Sequence, residues 1–366
     1  MSASARGDKQ GQVTLKDIAA RAQVSTSAVS MALLDHPRIG ADTKARVRMV
    51  ADELGYVANS AGRALRARRS GAIALIVPNT SQHVFGHAYF MHVLTGATDV
   101  ANAHDAQLTV STSPDEKRGL AAYERVIRSG SADGAIVTSA SVTDANIKRL
   151  VDSGIPVVLL GRFPHLPDAV SVGVDDEAAG FAATEHLIVE HGRRSIVHVS
   201  GPLDHQSAMD RRDGFLRAAS HHDVDASVLL GDYSEASGRA AAPVIHSSGA
   251  NVDGVFAAND EMAYGVMSEL LGRGKQVPQE VSIMGYDDFG LSRVTSPSIA
   301  TMHVPAERMA RLATERLFAL IAGESIEAED AHVVLPVQLV GRQSCGCEEL
   351  QLRGPSLEQH PSTTSH

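Results

Sequence analysis

Two adjacent acidic pairs, Asp175-Asp176 and Asp287-Asp288, are the first groups in this 366-residue chain that could do chemistry. Carboxylates flanking one bond can act as acid and base. Neighbours on a strand point to opposite faces, however, so neither pair converges on one bond. Asp176 and Asp288 are therefore expected to cap helices or face solvent. The segment GPLDHQSAMDRRDGF (201–215) follows an apolar run and opens a helix. Arg212 there is expected to pair with Asp210 or Asp213 at the surface. An arginine turned to a ligand offers more, because its rigid fork bonds adjacent hydroxyls or a carboxylate bidentately. Asn259 and Asp287 stand where apolar runs end, and a strand-end carboxylate facing a cleft suits sugar hydroxyls.

Motifs for group transfer are missing. There is no G-x-x-x-x-G-K-[ST] phosphate loop, no G-x-G-x-x-G after the first apolar run and no G-x-S-x-G elbow. Among seventeen histidines, His83 and His87 lie four apart and His221-His222-Asp223 closes a helical stretch, but no H-E-x-x-H occurs. No metal site or cofactor is expected. Cys345 and Cys347 are too few for a disulfide framework or a four-ligand zinc site, and are expected to be free thiols in a reducing cytoplasm.

These residues need a scaffold, and the chain from Ala72 onward supplies an alternating one. Apolar runs read as strands at 72–78, 107–111, 134–139, 156–161, 171–174, 195–200, 227–232, 254–259 and 282–287. Helix-length segments separate most of them, such as 176–190, 208–220, 234–247 and 260–273. Strands alternating with helices imply parallel sheets covered on both faces. Nine strands are many for one sheet, so two doubly wound subdomains with a cleft between them are expected. SIATMHVP (298–305) leads into a helix at 306–322, and HVVLPVQLV (332–340) reads as one late strand.

The first seventy residues differ. Thr14 followed by Asp17 reads as a helix cap, with Leu15, Ile18, Ala19 and Ala22 on one face. Ser25 is placed to cap a second helix carrying Val29 and Leu33, and a third from about Asp42 turns Val47, Val50, Ala51 and Leu54 inward. Three short helices with a tight turn between the first two read as a helix-turn-helix module, whose second helix would offer Thr26, Ser27 and Ser30 to base edges. Charge agrees. Residues 1–70 hold 12 Lys or Arg against 6 Asp or Glu, whereas the remainder holds 21 against 37. A basic head on an acidic body suits a protein that touches phosphates at one end.

VTLKDIA, VSTSAVSMAL, RIGADTKARV and ELGYVANSAGRAL together resemble the DNA-binding headpiece and hinge of the lactose/galactose repressor (LacI/GalR) family, and the resemblance runs through nearly the whole chain. It implies an N-terminal helix-turn-helix headpiece joined to a periplasmic-binding-protein-like α/β core of two doubly wound parallel-sheet subdomains. It also implies a homodimer on a pseudo-palindromic double-stranded operator, acting as a repressor controlled by a small-molecule effector, by default a carbohydrate. The implied DNA-facing set is Thr14, Leu15, Ser25, Thr26, Ser27, Ser30, Met31, Arg38, Asn59 and Leu65. Leu65 takes the role of the leucine that wedges into the minor groove. The implied effector set is Phe85, Asp175, His205, Ser207, Arg211, Tyr233, Asn259 and Asp287, with Arg211 as clamp and Tyr233 as stacking aromatic.

Several positions depart from the family pattern. Met31 replaces a common recognition-helix arginine, which removes a bidentate guanine reader. Gly62 replaces an alanine mid-hinge, at a helix cost of ~1 kcal/mol, so the hinge is expected to fold only on DNA. Gln82-His83 replaces an asparagine-proline, Gly161 an aspartate and Met209 a second arginine. Fewer polar partners imply an effector other than a standard hexose, or a partly apolar pocket.

The expected organisation is a disordered leader (1–12), the helix-turn-helix domain (13–58), hinge helix and linker (59–70), core (71–345) and disordered tail (346–366). Within the core, one subdomain is expected at about 71–161 plus 300–322 and the other at about 173–288 plus 333–342. No run of 18 apolar residues occurs, so no membrane span is expected, and the leader lacks a secretory apolar stretch. A solute-binding protein of transport would show a signal peptide and no basic head. A sugar-modifying enzyme would show a nucleotide or metal motif. Neither set of features is present, and a cytoplasmic non-enzyme is expected.

Overall fold

The structure, a computed structural model, describes residues 13–33, 35–56, 70–114, 119–247 and 251–348. The chain divides into two compact units, residues 1–70 and 71–366.

In the first unit, helices α1 (Leu15–Ala22), α2 (Thr26–Leu33) and α3 (Ala41–Glu53) enclose a small core of Ile18, Ala19, Ala22, Val29, Ala32, Val47, Val50 and Ala51. The Asp17 carboxylate accepts from the Thr14 N–H at 2.8 Å and its hydroxyl at 2.7 Å, which fixes the start of α1. Those two bonds hold the Asp17 pKa below its ordinary value. Gln23 takes the left-handed conformation that ends α1, and Ser25 Oγ accepts from the Ala28 N–H at 3.1 Å to begin α2.

The second unit opens with β1 (Ala72–Thr80), α4 (Ser81–Gly86), α5 (Ala88–Ala103), β2 (Gln107–Ser113), α6 (Leu120–Ser129), β3 (Gly134–Thr138), α7 (Asn146–Asp152), β4 (Val157–Leu160) and β5 (Ser171–Val174). It continues with α8 (Asp176–Val189), β6 (Ser195–Ser200), α9 (Gln206–His221), β7 (Asp225–Leu230), α10 (Glu235–Ser247), β8 (Gly254–Ala257), α11 (Asp260–Gly272), β9 (Ser282–Met284) and α12 (Leu291–Val294). It closes with β10 (Thr301–His303), α13 (Ala306–Ala322), β11 (His332–Leu335) and β12 (Gln338–Val340). Two parallel sheets result, in the orders β2-β1-β3-β4-β5-β11 and β7-β6-β8-β9.

Strand β1 shows why the sheets are covered twice. Its residues Ile73, Leu75 and Val77 join the core beneath α5 and α13, while Ala74 and Ile76 join the one beneath α6 and α7. A parallel strand sealed on both faces reads as a continuous apolar run, as 72–77 does. Truncating Ile76, which is fully buried, to alanine would cost about 2–5 kcal/mol. In the second lobe α8 and α9 lie on one face and α10 and α11 on the other. The α8–α9 contact is backbone-close: a Cβ on Gly180 would lie 2.5 Å from the Arg211 carbonyl oxygen, and one on Gly214 2.1 Å from that of Glu177.

Two boundaries differ from the sequence expectation. The run 332–340 is two strands in different sheets, with Pro336 between them. Pro has no N–H to donate to a ladder, and the chain changes sheets there: β11 pairs with β5, whereas β12 pairs antiparallel with β10. β5 and β11 therefore complete the first lobe, although 173–174 and 333–335 were expected in the second. β10 lies against the second lobe through bridges Met284–Ala300 and Asp287–His303, although 300–303 was expected in the first. The chain crosses between lobes after Val174, after His303 and after Leu335.

Candidate functional site

Between the two lobes of the second unit lies a cavity of about 140 Å³. First-lobe side chains His83, His87, Tyr89, Phe90, Thr138, Leu160, Arg162 and Phe163 line one side. The other carries Asp176, His205, Gln206, Ser207, Arg211, Tyr233, Asn259, Glu261 and Asp287, with Val304 and Met309 adding apolar surface.

Arg211 organises the second-lobe wall. Its Nε donates to Asp176 Oδ1 at 2.8 Å, its Nη1 donates to the Ala258 carbonyl at 2.7 Å, and its guanidinium lies 3.6 Å from the centre of the Tyr286 ring. The Tyr286 hydroxyl donates to the same Asp176 oxygen at 2.8 Å. Planar charge, carbonyl and aromatic face hold the guanidinium in one orientation. Asn259 spends both ends of its amide internally: Oδ1 accepts from the Met262 N–H to cap α11, and Nδ2 donates to the Tyr233 carbonyl at 2.8 Å. Tyr233 sits at φ +70°, so Asn259 serves by fixing that strained residue, whose hydroxyl reaches Ser207 Oγ at 3.5 Å.

Electrostatics separate the remaining groups. Burial pushes the Asp287 pKa well above the usual carboxylate range, against the pull of Arg211. Burial likewise raises Glu261 and lifts Tyr89 to about 12. Burial, with neighbouring His87 and His205, lowers His83 to about 4, so its imidazole is neutral at pH 7. Arg162 reaches across the cleft to Asp210 at 3.2 Å, and the Val142 N–H donates to the Asp204 carbonyl at 2.8 Å. The wall thus offers a fixed cation, three carboxyl groups, further hydrogen-bond donors and acceptors, and aromatic faces.

Of the eight expected effector residues, His205, Ser207, Arg211, Tyr233, Asn259 and Asp287 line the cavity. Two do not. Asp175 is exposed and accepts from the Ala178 N–H at 3.0 Å as the cap of α8; its neighbour Asp176 turns inward to Arg211. The two carboxylates do diverge, with roles opposite to those expected, because the cap must sit one residue before the helix. Phe85 is 61% exposed, since the short α4 buries Val84 instead, and Phe90 from α5 provides the aromatic wall. Asp288 neither caps a helix nor meets solvent: it is buried against Arg342 at 2.6 Å and Arg293 at 2.9 Å. Arg212 pairs with Asp213 at 2.6 Å. Sequence reasoning missed Asp176, Tyr89, Phe90, Arg162 and Glu261. His83, which marks a departure from the family pattern, lines the cavity.

On the first unit, Thr26, Ser27 and Arg38 are exposed, Met31 is partly exposed, and Thr14 and Ser25 are exposed but already bonded in caps. Leu15 packs against the three-helix core. Ser30 is 7% exposed, which corrects its placement among base readers: α2 turns the face carrying Val29 and Ser30 inward. Asn59 and Leu65 lie outside the described residues.

A helix-turn-helix module ahead of a two-lobed core with a polar cavity defines a DNA-binding regulator with a small-molecule receiving domain. Residues 14–59 match the family of bacterial regulatory proteins, lacI family, and 184–345 match the periplasmic binding protein-like domain. Relatives include the HTH-type transcriptional regulator CelR of Thermobifida fusca, 30% identical over 344 residues (92% of this chain, 99% of that protein). GntR of Pseudomonas aeruginosa is 31% identical over 345 residues, covering 91% of this chain and 96% of that protein. Among solved structures, a CelR–cellobiose complex covers 91% of this chain and 99% of that one (27% identity, TM-score 0.69). The lac repressor dimer bound to operator covers 92% and 99% (23% identity, TM-score 0.80) and shares the fold. The chain belongs to the LacI family and is a DNA-binding transcriptional regulator rather than a transport solute-binding protein. No described helix is long and apolar enough to cross a membrane.

Proposed function

We propose that this regulator is a cytoplasmic, non-enzymatic repressor that binds a pseudo-palindromic operator as a homodimer and is controlled by a carbohydrate held between its core lobes. The observation that carries the reading is the cavity wall: Arg211 is locked by Asp176 and Tyr286, while Asp287 faces the same space with no side-chain hydrogen bond among the described residues. A fixed guanidinium beside an acceptor, with Tyr233 and Phe90 as ring-stacking faces, suits vicinal hydroxyls on a sugar ring. The solved relative with cellobiose supports the ligand class. The apolar share of the wall, from Leu160, Phe163, Val174 and Met309, favours a substituted or oligomeric sugar over a bare hexose.

The test is a thermal-shift screen of the full chain against mono- and disaccharides, sugar acids and sugar phosphates. Ligand at 100 times Kd adds about 2.7 kcal/mol of stability. A sugar hit must also change operator affinity, because linkage makes the coupling reciprocal. Asp287→Asn should weaken that hit about tenfold or more. Hits confined to phosphates or non-sugar metabolites would overturn the carbohydrate assignment, and a hit that leaves operator affinity unchanged would overturn the regulatory coupling.

A further inference from the structure

The only two cysteines of the chain meet two histidines from a distant part of it. His186 lies in the last turn of α8 and His191 in the connection to β6, while Cys345 and Cys347 occupy the turn that follows β12. The two imidazole Nε2 atoms are 3.1 Å apart, and Cys347 Sγ lies 3.6 Å from one and 3.5 Å from the other. With Cys345, whose thiol is buried and donates to the Arg342 carbonyl at 3.2 Å, the four ligand atoms all fall within 4.8 Å of one another.

Three such atoms converge for a reason that hydrogen bonding meets poorly. Two facing Nε2 atoms share at most one useful proton when the rings are neutral, and a thiol is a weak donor. A tetrahedral zinc ion has Zn–N near 2.0–2.1 Å and Zn–S near 2.3 Å, so its ligand edges come to about 3.3 Å between nitrogens and about 3.6 Å between nitrogen and sulfur. The observed 3.1, 3.5 and 3.6 Å follow that triangle. The His-x4-His spacing is one that structural zinc sites use, and a mixed N2S2 donor set selects zinc among hard and soft divalent ions. The backbone gives way where the ligands gather: a Cβ on Gly341 would lie 2.8 Å from Cys347 Sγ.

We propose that His186, His191, Cys345 and Cys347 form a closed structural site for a tetrahedral zinc-class ion. Four protein ligands leave no open position for chemistry, so the ion clips the C-terminal turn to the end of α8. The opposite end of that 14-residue helix carries Asp176, about 20 Å away at 1.5 Å per residue. The sequence expectation of no metal weighed the cysteine pair and the histidine clusters separately, whereas the two pairs joined in this proposal are some 155 residues apart in the chain and meet only on folding.

The test uses the full chain, stripped with chelator and reduced, then titrated with cobalt(II) as a spectroscopic stand-in. Expected are intense visible bands of tetrahedral cobalt and a thiolate-to-metal charge-transfer band, saturating at one ion per chain and bleached by zinc. Cys347→Ser and His191→Gln should each abolish stoichiometric binding, while His221→Gln should not. Where a variant does not fold, thiol reactivity of the native chain decides: the half-buried Cys347 thiol should react with a disulfide reagent when stripped and be protected when zinc-loaded. Weak octahedral-type bands, a metal content well below one, an unprotected Cys347 thiol or a Cys345–Cys347 disulfide after aerobic purification in zinc would each overturn the site.

Discussion

Replacing Arg211 with alanine strands a buried charge. Arg211 and Asp176 are 8% and 6% exposed and 2.8 Å apart, so removal of the guanidinium leaves the Asp176 carboxylate, among the described residues, with the Tyr286 hydroxyl as its hydrogen-bond donor. Breaking such a pair from one side costs about 3–5 kcal/mol. Asp176→Asn keeps the shape and an acceptor for both donors but leaves the arginine uncompensated, and should cost somewhat less. In the double variant neither charge remains to be stranded, so its loss should fall short of the sum of the singles by about 2–3 kcal/mol, within the range of coupling for contacting residues. Urea unfolding of the full chain, followed by far-UV circular dichroism with the slope checked across all four proteins, measures the cycle. Additivity to within ~0.5 kcal/mol would refute the reasoning and reduce Arg211 to a ligand contact with no structural share.

Three further outcomes are expected. His198 is fully buried between Phe215 and Phe256, and burial depresses its pKa to about 3. Between pH 6.5 and about 3 the unfolded chain takes up a proton that the native state refuses. Stability should therefore fall with acidification, by about 2 kcal/mol from this residue between pH 6.5 and 5, and His198→Phe should flatten that limb of a pH–stability curve. Gly214→Ala would place a methyl 2.1 Å from the Glu177 carbonyl oxygen, so thermal unfolding should show at least about 1–3 kcal/mol lost as α8 and α9 are wedged apart. Thr26→Ala should weaken operator binding, read by fluorescence anisotropy, by up to ~1–3 kcal/mol, whereas Ser30→Ala should change stability instead; equal effects on DNA binding from both would contradict the burial of Ser30.

The strands and long helices were legible because their burial is periodic. Run 72–77 is apolar on both faces and became the central β1, and 306–322 became α13 with its predicted bounds. What the periodicity could not settle was which sheet a short strand joins: β5 and β11 pair with each other through four residues each, a long-range choice invisible locally. At the cavity, six residues were readable from strand ends and family resemblance. Asp175 and Phe85 failed by small shifts in phase. Caps and helix starts are fixed by single residues, so a one-position error exchanges an inward carboxylate for an outward one. Arg162 and Glu261 carry no local signal, since only the approach of the two lobes gives them a shared space.

The three lobe crossings have a mechanical consequence. Three chain segments run between the two lobes, so any hinge movement of one lobe against the other must bend all three together. The first crossing begins after Val174, and Asp176, the anchor of Arg211, is two residues further on. Fulcrum and load are therefore almost the same residues. If the proposed effector engages the Arg211 guanidinium, it competes with the bond to Asp176 and so acts directly beside that crossing.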